Sequence, residues 1–332
     1  MRLSALEQIP FAGRTPRRAV EDTEDIEDTV RLARGLEDSG YHRFWLAEHH
    51  NTGAFASSAP DLLIMHMLDA TDRIRVGSGG IMAMHYGSLQ IAERFATLAT
   101  LFPGRVDLGL GRAPGGDVLA ARALNQGRFI APEAIDALID ETVALLRDEI
   151  PAGHRYAALG VHPAPEVPPE IWLLGSSGQS AAWAGAHDLG YAYAQFFTGH
   201  QQIEVMNHYR AHLPEGASSD RTLSALCVSA APTREEAREQ ALAAADFRLA
   251  LRRGRAEGFR APDALSPGRR AEAEAHLERD TAIVVGTYDE VAETLRAFAD
   301  SHGTDELMLI SYIDDVDVKL NQYRELAARL AG

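Results

Sequence analysis

The chain has 332 residues, 46% of them hydrophobic, enough to bury a sizeable core and read as one domain spanning residues 1–332. Its formal charge of −16, from 48 acidic against 32 basic residues, repels phosphate backbones and anionic lipid, so neither a nucleic-acid nor a membrane partner is expected. Cys227 is the only cysteine, which excludes an intrachain disulfide and the paired-cysteine zinc patterns; with no signal-like apolar core in MRLSALEQIPFAGRTPRRAVEDTED and no later span-length stretch, a cytoplasmic location is expected.

Short apolar runs alternate with longer amphipathic segments from one end to the other, the pattern of parallel strands joined by crossover helices. In chain order the strands are LSALEQI (3–9), HRFWLAE (42–48), IRVGSGG (74–80), VDLGLG (106–111), IWLLG (171–175), YAYAQF (191–196), LSALCVSA (223–230) and ELMLISYI (306–313). Between the first two, DTVRLARGLEDSG (28–40) is helical, with Val30, Leu32, Ala33 and Leu36 at helical spacing and Gly40 as a left-handed C-cap. Eight such repeats predict an α/β fold, a (β/α)8 TIM barrel with insertions after strands 4 and 7, at residues 112–131 and 251–285. The second insertion leads into IVVGTYDEVAETLRAF, a strand-like or turn segment followed by a helix. In a barrel the connections that follow the strands build the catalytic face.

Four segments at strand ends carry groups capable of chemistry. AEHHN (47–51) brings Glu48, His49 and His50 to the end of the second strand, where a histidine can act as a general base or donate to an anion. These residues could also join His85, His187 or His200 around a metal, although the chain has no HExxH and no Cys pair to anchor one. VGSGG ends the third strand with Gly77, Gly79 and Gly80, which would let the backbone approach a flat ligand or simply turn. VDLGLGRAPGGD (106–117) fails as a dinucleotide fingerprint because Pro114 stands where the third glycine is required. Arg112 there can either neutralise a phosphate or make a surface ion pair. In IWLLGSSGQSAAWAG (171–185), Ser176, Ser177, Gly178, Gln179 and Ser180 present N–H groups and hydroxyls at a helix N-terminus, a cradle for an anion that serine capping alone would also explain. The segment lacks the Gly-Lys pair of a Walker loop and, with Gln179, the second framing glycine of a nucleophile elbow.

Taken together, FWLAEHHN, VGSGGIMAMHYGSLQIAE, FPGRVDLGLGRAPGGD, LGSSGQSAAWA and VVGTYDEVAETL resemble, in order and spacing, the bacterial luciferase-like monooxygenase family, within it the unassigned luciferase-like oxidoreductase subgroup. The resemblance extends from LSALEQIPF to DELMLISYI. It implies FMN across the C-terminal mouth of the barrel, its phosphate held by Arg112 and by Ser177, Gly178 and Ser180, with Ser176 and Gln179 alongside. It further implies a non-proline cis peptide at or beside Gly79 and Gly80 behind the flavin ring, and a catalytic His49 with Glu48 and His50 shaping the site. His50, Met82 and His85 are assigned to the substrate pocket. Two positions depart from the family: the glycine pair stands where luciferases carry small side chains, and Met84 where many relatives have proline. The implied reaction uses reduced FMN from a separate flavin reductase, since the chain has no nicotinamide fingerprint, and O2, which forms a flavin peroxide that oxygenates an aldehyde or similar small molecule. A homodimer is implied as well. A flavin-storage protein, a deazaflavin-dependent oxidoreductase of the same fold and a metal-dependent barrel hydrolase are the competing readings.

Overall fold

The computed structural model describes residues 1–10, 19–198, 202–218, 221–253 and 258–330. Ten strands follow in chain order: β1 (Arg2–Glu7), β2 (Arg43–Leu46), β3 (Arg75–Ser78), β4 (Ile81–Met82), β5 (Val106–Gly111), β6 (Glu170–Gly175), β7 (Gly190–Ala194), β8 (Thr222–Ala231), β9 (Ile283–Thr287) and β10 (Glu306–Ile310). All pairings are parallel, in the order β10-β1-β2-β3-β5-β6-β7-β8, and β10 also pairs with β8, so that eight strands close into a (β/α)8 barrel. The two remaining strands are satellites: β4 resumes the row of β3 beside β5, and β9 pairs only with the far half of β8, from Cys227↔Ile283 to Ala231↔Thr287.

Closure buries both faces of the strands, which is why they read as continuous apolar runs. Alternate residues go to different cores. On β2, Phe44 and Leu46 pack outward under the helices with Val76, Leu108 and Leu173, whereas Trp45 and Ala47 point inward with Leu6, Trp172, Ala225 and Met308. Helices fill the outer ring. Helix Tyr288–His302, for example, starts on a capping box between Thr287 and Glu290 and stops at Gly303, whose φ of 58° suits a left-handed cap.

The N-terminal end of the barrel is sealed by charge. Arg43, 3% exposed, donates to Glu306 at 2.8 Å, Asp107 at 2.9 Å and Glu170 at 2.8 Å, while Trp45 Nε1 donates to Asp107 at 2.9 Å. Burial alone would lower the pKa of Arg43, but the three carboxylates outweigh it and hold the guanidinium charged. The opposite end stays open and is where the strand-end motifs gather.

Several strands are shorter than the sequence suggests, mainly at their C-terminal ends. HRFWLAE is extended only over Arg43–Leu46, and YAYAQF only to Ala194, after which Gln195–Thr198 turns helical. β1 ends at Glu7, and Ile9 takes a φ of 53°. In each case the backbone leaves the ladder where it begins to line the open mouth. The first insertion contains helix Val118–Leu124; the second carries helix Pro267–Leu277 between helix Arg234–Arg252 and β9. Among the described residues no helix is long and apolar enough to cross a membrane.

Candidate active site

The end of β2 and the loop after β5 are laced together. His50 N–H donates to Gly115 O at 2.9 Å, and Asn51 Nδ2 to Asp117 Oδ2 at 3.0 Å. The loop can come this close because Gly115 and Gly116 have no side chains: a Cβ on Gly115 would lie 2.9 Å from Glu48 O, and one on Gly116 2.5 Å from His50 O. Glu48 is fully buried and accepts three hydrogen bonds, from Met82 N at 2.8 Å, Tyr86 OH at 2.8 Å and His50 Nε2 at 2.7 Å. Burial, together with the charge of Glu48, raises the Tyr86 pKa, so its hydroxyl remains a donor.

His49 faces the other way. Its ring stacks on Phe55 with centroids 4.3 Å apart, and its buried Nε2 has no hydrogen-bond partner among the described residues. Burial lowers its pKa to about 4, against a smaller opposing effect of a hydrogen bond to the Gly115 backbone. Nε2 of the neutral ring is therefore a nitrogen without a protein partner among the described residues.

His49 lies on a cavity of about 360 Å³ in the barrel mouth, within the roughly 300–1,000 Å³ range of small-molecule sites. Gly79 and Gly80 form part of its wall, joined by a cis peptide bond. Side chains are excluded there: a Cβ on Gly80 would meet Gly109 O at 2.8 Å, and one on Gly79 Leu6 Cδ1 at 2.5 Å. The cavity also takes in Arg112, Ser176, Ser177 and Ser180. Ser177 caps helix Gly178–Ala186: its Oγ accepts from Ser180 N at 3.3 Å, while Ser180 Oγ donates to Ser177 O at 2.8 Å. The first N–H groups of a helix have no partner within it, and they carry the positive end of its dipole. Arg112 is bound only loosely, by an ion pair with Asp136 at 3.4 Å. A cationic and N–H-rich end, a backbone wall without side chains and a neutral imidazole thus surround one space, and these residues fit a flat, phosphate-bearing cofactor.

A second cavity of about 640 Å³ opens beside the first, sharing His49, Met82, Ala113 and Phe196. One wall is aromatic: Phe55 meets Phe247 edge-on at 5.5 Å, Phe247 stacks on Phe259 at 4.2 Å, and Phe259 stacks on Tyr312 at 4.9 Å.

A family profile described as luciferase-like monooxygenase matches residues 8–305. The chain belongs to the luciferase-like monooxygenase family. It is an oxidoreductase that incorporates molecular oxygen, of the flavin type. It is 36% identical over 315 residues, 91% of each chain, to N-acetyl-S-alkylcysteine monooxygenase of Bacillus subtilis (strain 168). The crystal structure of apo-MsnO8 superposes with a TM-score of 0.85 at 31% identity, covering 99% of this chain and 98% of that one. At 16% identity, the oxygenating constituent of 3,6-diketocamphane monooxygenase from Pseudomonas putida, a type II Baeyer-Villiger monooxygenase solved with FMN, shares the fold with a TM-score of 0.71 over 100% of this chain and 98% of that one.

Against this family background, the structure brings His49, Gly79, Gly80, Met82, Arg112, Ser176, Ser177 and Ser180 onto one cavity. Gly178 and Gln179 sit at the helix start just outside it; the Gln179 side chain is exposed, and a Cβ on Gly178 would meet His208 at 2.6 Å. Glu48, His50 and His85 line neither cavity. They lie behind the wall, because Glu48 binds His50 and Met82, and His85 is held by Pro114 O at 2.7 Å and Asn125 at 3.2 Å. Of the histidines set beside them for a metal, His187 is stacked on Trp183 and paired with Asp140, and His200 lies outside the described residues. No group of three or more potential ligands is arranged around a metal position among the described residues. Sequence reasoning missed Gln8, Phe196, Phe247, Arg248 and Tyr312. For Gln8 the signal was present, since it follows Leu6 at the inward period of β1. The same period reaches Phe196 from Ala192 and Ala194 and Tyr312 from Met308 and Ile310, whereas Phe247 and Arg248 lie on helix Arg234–Arg252 and carry no such signal.

Proposed function

We propose that the chain, working as a single domain over residues 1–332 and as a homodimer in the cytoplasm, uses reduced FMN delivered by a separate flavin reductase to oxygenate a small organic substrate. The observation that carries this reading is the single cavity shared by His49, the Gly79–Gly80 wall and the Arg112–serine end. Arg112, Ser176, Ser177, Ser180 and the N–H groups of Gly178 and Gln179 would hold the FMN phosphate, with bidentate geometry available from the guanidinium. Gly79 and Gly80 would support the ring. When bound, reduced FMN supplies two electrons to O2, one oxygen atom passing to the substrate and the other to water.

His49 contributes a proton acceptor at Nε2 that stays neutral at physiological pH. Glu48, His50 and His85 act from behind by fixing the wall around Met82, and the aromatic surface of the second cavity excludes water from the reacting atoms. The B. subtilis relative named for N-acetyl-S-alkylcysteine favours thioethers as the first substrates to test, with aldehydes next.

The test is anaerobic titration with reduced FMN followed by rapid mixing with O2. Expected are saturable binding, flavin reoxidation slower than in free solution, and sulfoxide or acid formed in step with it. Tight binding with reoxidation at the free-flavin rate and no product identifies a flavin carrier; binding of a reduced deazaflavin but not of FMN identifies a hydride-transfer enzyme.

A further inference from the structure

One side of the second cavity holds an unbalanced charge. Arg248 and Arg252 both line it, one turn apart on helix Arg234–Arg252. Both face one carboxylate, that of fully buried Asp280. Arg248 is committed: its Nε donates to Asp280 at 2.7 Å and its Nη1 to Phe196 O. Arg252 approaches the same carboxylate only at 3.6 Å, beyond hydrogen-bond distance, and its side chain is 52% exposed. His276 Nε2, 3.1 Å from Asp280, does not add to the cluster at neutral pH, because burial lowers its pKa. Burial works against the Asp280 charge, but hydrogen bonds from Arg248 and the Ala282 N–H and the charges of both arginines outweigh it. Two guanidinium groups against one carboxylate leave about one positive charge on this side of the cavity, beside its aromatic wall.

Among the described residues the opposite side offers one anion, which is held at a helix N-terminus. Asp117 lines the same cavity, but it caps helix Val118–Leu124, accepting Ala120 N–H at 2.7 Å and Asn51 Nδ2 at 3.0 Å. A cation at the end of a helix is satisfied by the dipole alone when it projects into solvent. Arg252 is half exposed to solvent and also lines a cavity that shares His49 with the first.

We propose that Arg252, buttressed by Arg248, is an anion subsite, and that the substrate is an organic monocarboxylate: its carboxylate on Arg252, its apolar or aromatic arm along Phe55, Phe247 and Tyr312, and its reacting atom at the junction near His49. This rests on reading the adjoining cavity as the flavin seat. A dianion such as a phosphate ester would exceed the single unbalanced charge and meet Asp117 besides.

The test uses N-acetyl-S-benzylcysteine and its primary amide, which differ in that charge, titrated calorimetrically into the full chain with and without FMN. The acid is expected to bind about tenfold or more tightly than the amide. Arg252→Gln brings the ratio to within about threefold, and Arg252→Lys retains most of it. Equal affinities in the parental protein, a ratio unchanged in Arg252→Gln, or no binding of either compound overturns the subsite. Because these ratios are read without electrons or O2, a failure of the flavin reading appears separately, as absent reduced-FMN binding with acid preference intact.

Discussion

Glu48 accepts the backbone N–H of Met82 at 2.8 Å, tying the end of β2 to the second residue after the Gly79–Gly80 wall. The same carboxylate holds Tyr86 and His50, so the segment around Met82 is positioned by a group that never reaches the cavity. Glu48→Ala leaves Met82 N–H and Tyr86 OH unsatisfied and is expected to cost about 2–4 kcal/mol, read as a lower urea midpoint. Tyr86→Phe removes one of the three bonds and is expected to cost about 1 kcal/mol.

His49 should separate chemistry from binding. His49→Ala is expected to lower the rate of product formation by about 10²–10⁴-fold, while reduced FMN still binds within about threefold of the parental affinity. Product at the parental rate would remove His49 from the reaction.

The same residue gives a pH signature in stability. Its folded pKa of about 4 lies below the ordinary 6.5, so the unfolded chain takes up the proton first. The stability attributable to neutral His49 is complete above pH 6.5 and is lost as pH falls through about 4, up to about 3 kcal/mol in all. Urea unfolding at pH 7 and pH 4.5 should show the parental protein losing more stability between the two than His49→Asn does.

The glycine pair should tolerate substitution unequally. On Gly80 a methyl group meets the backbone oxygen of Gly109 at 2.8 Å, whereas on Gly79 it meets the tip of the Leu6 side chain at 2.5 Å. A side-chain tip can swing away and a strand carbonyl cannot. Gly80→Ala is expected to cost at least about 2 kcal/mol and Gly79→Ala less, with thermal unfolding as the measurement.

Arg112 is tested by the phosphate it is proposed to hold. Arg112→Ala is expected to weaken reduced FMN by about 10–100-fold, the worth of a charge-assisted hydrogen bond, and to change riboflavin affinity by less than about twofold. Equal losses for both flavins would place Arg112 in general architecture, through its ion pair with Asp136.

The sequence by itself determined the barrel. Strands buried on both faces must be apolar at nearly every position, so all eight of its strands stand out as runs, and the helices between them show the 3.6-residue period. It also marked the strand ends, where AEHHN, SGG and GSSGQS break those runs with polar groups and glycines.

Only the tertiary structure decided which way each group faces. His49 and His50 are adjacent in the chain, yet the first lines the cavity while Nε2 of the second is taken by Glu48 behind it. The second cavity was still less legible: Phe55, Phe247, Phe259 and Tyr312 come from four separate segments, and the charge on Arg252 is left over only because Arg248 occupies Asp280. Such a balance is set by distances across the fold, and local periodicity records which face of an element is buried but not what it meets there.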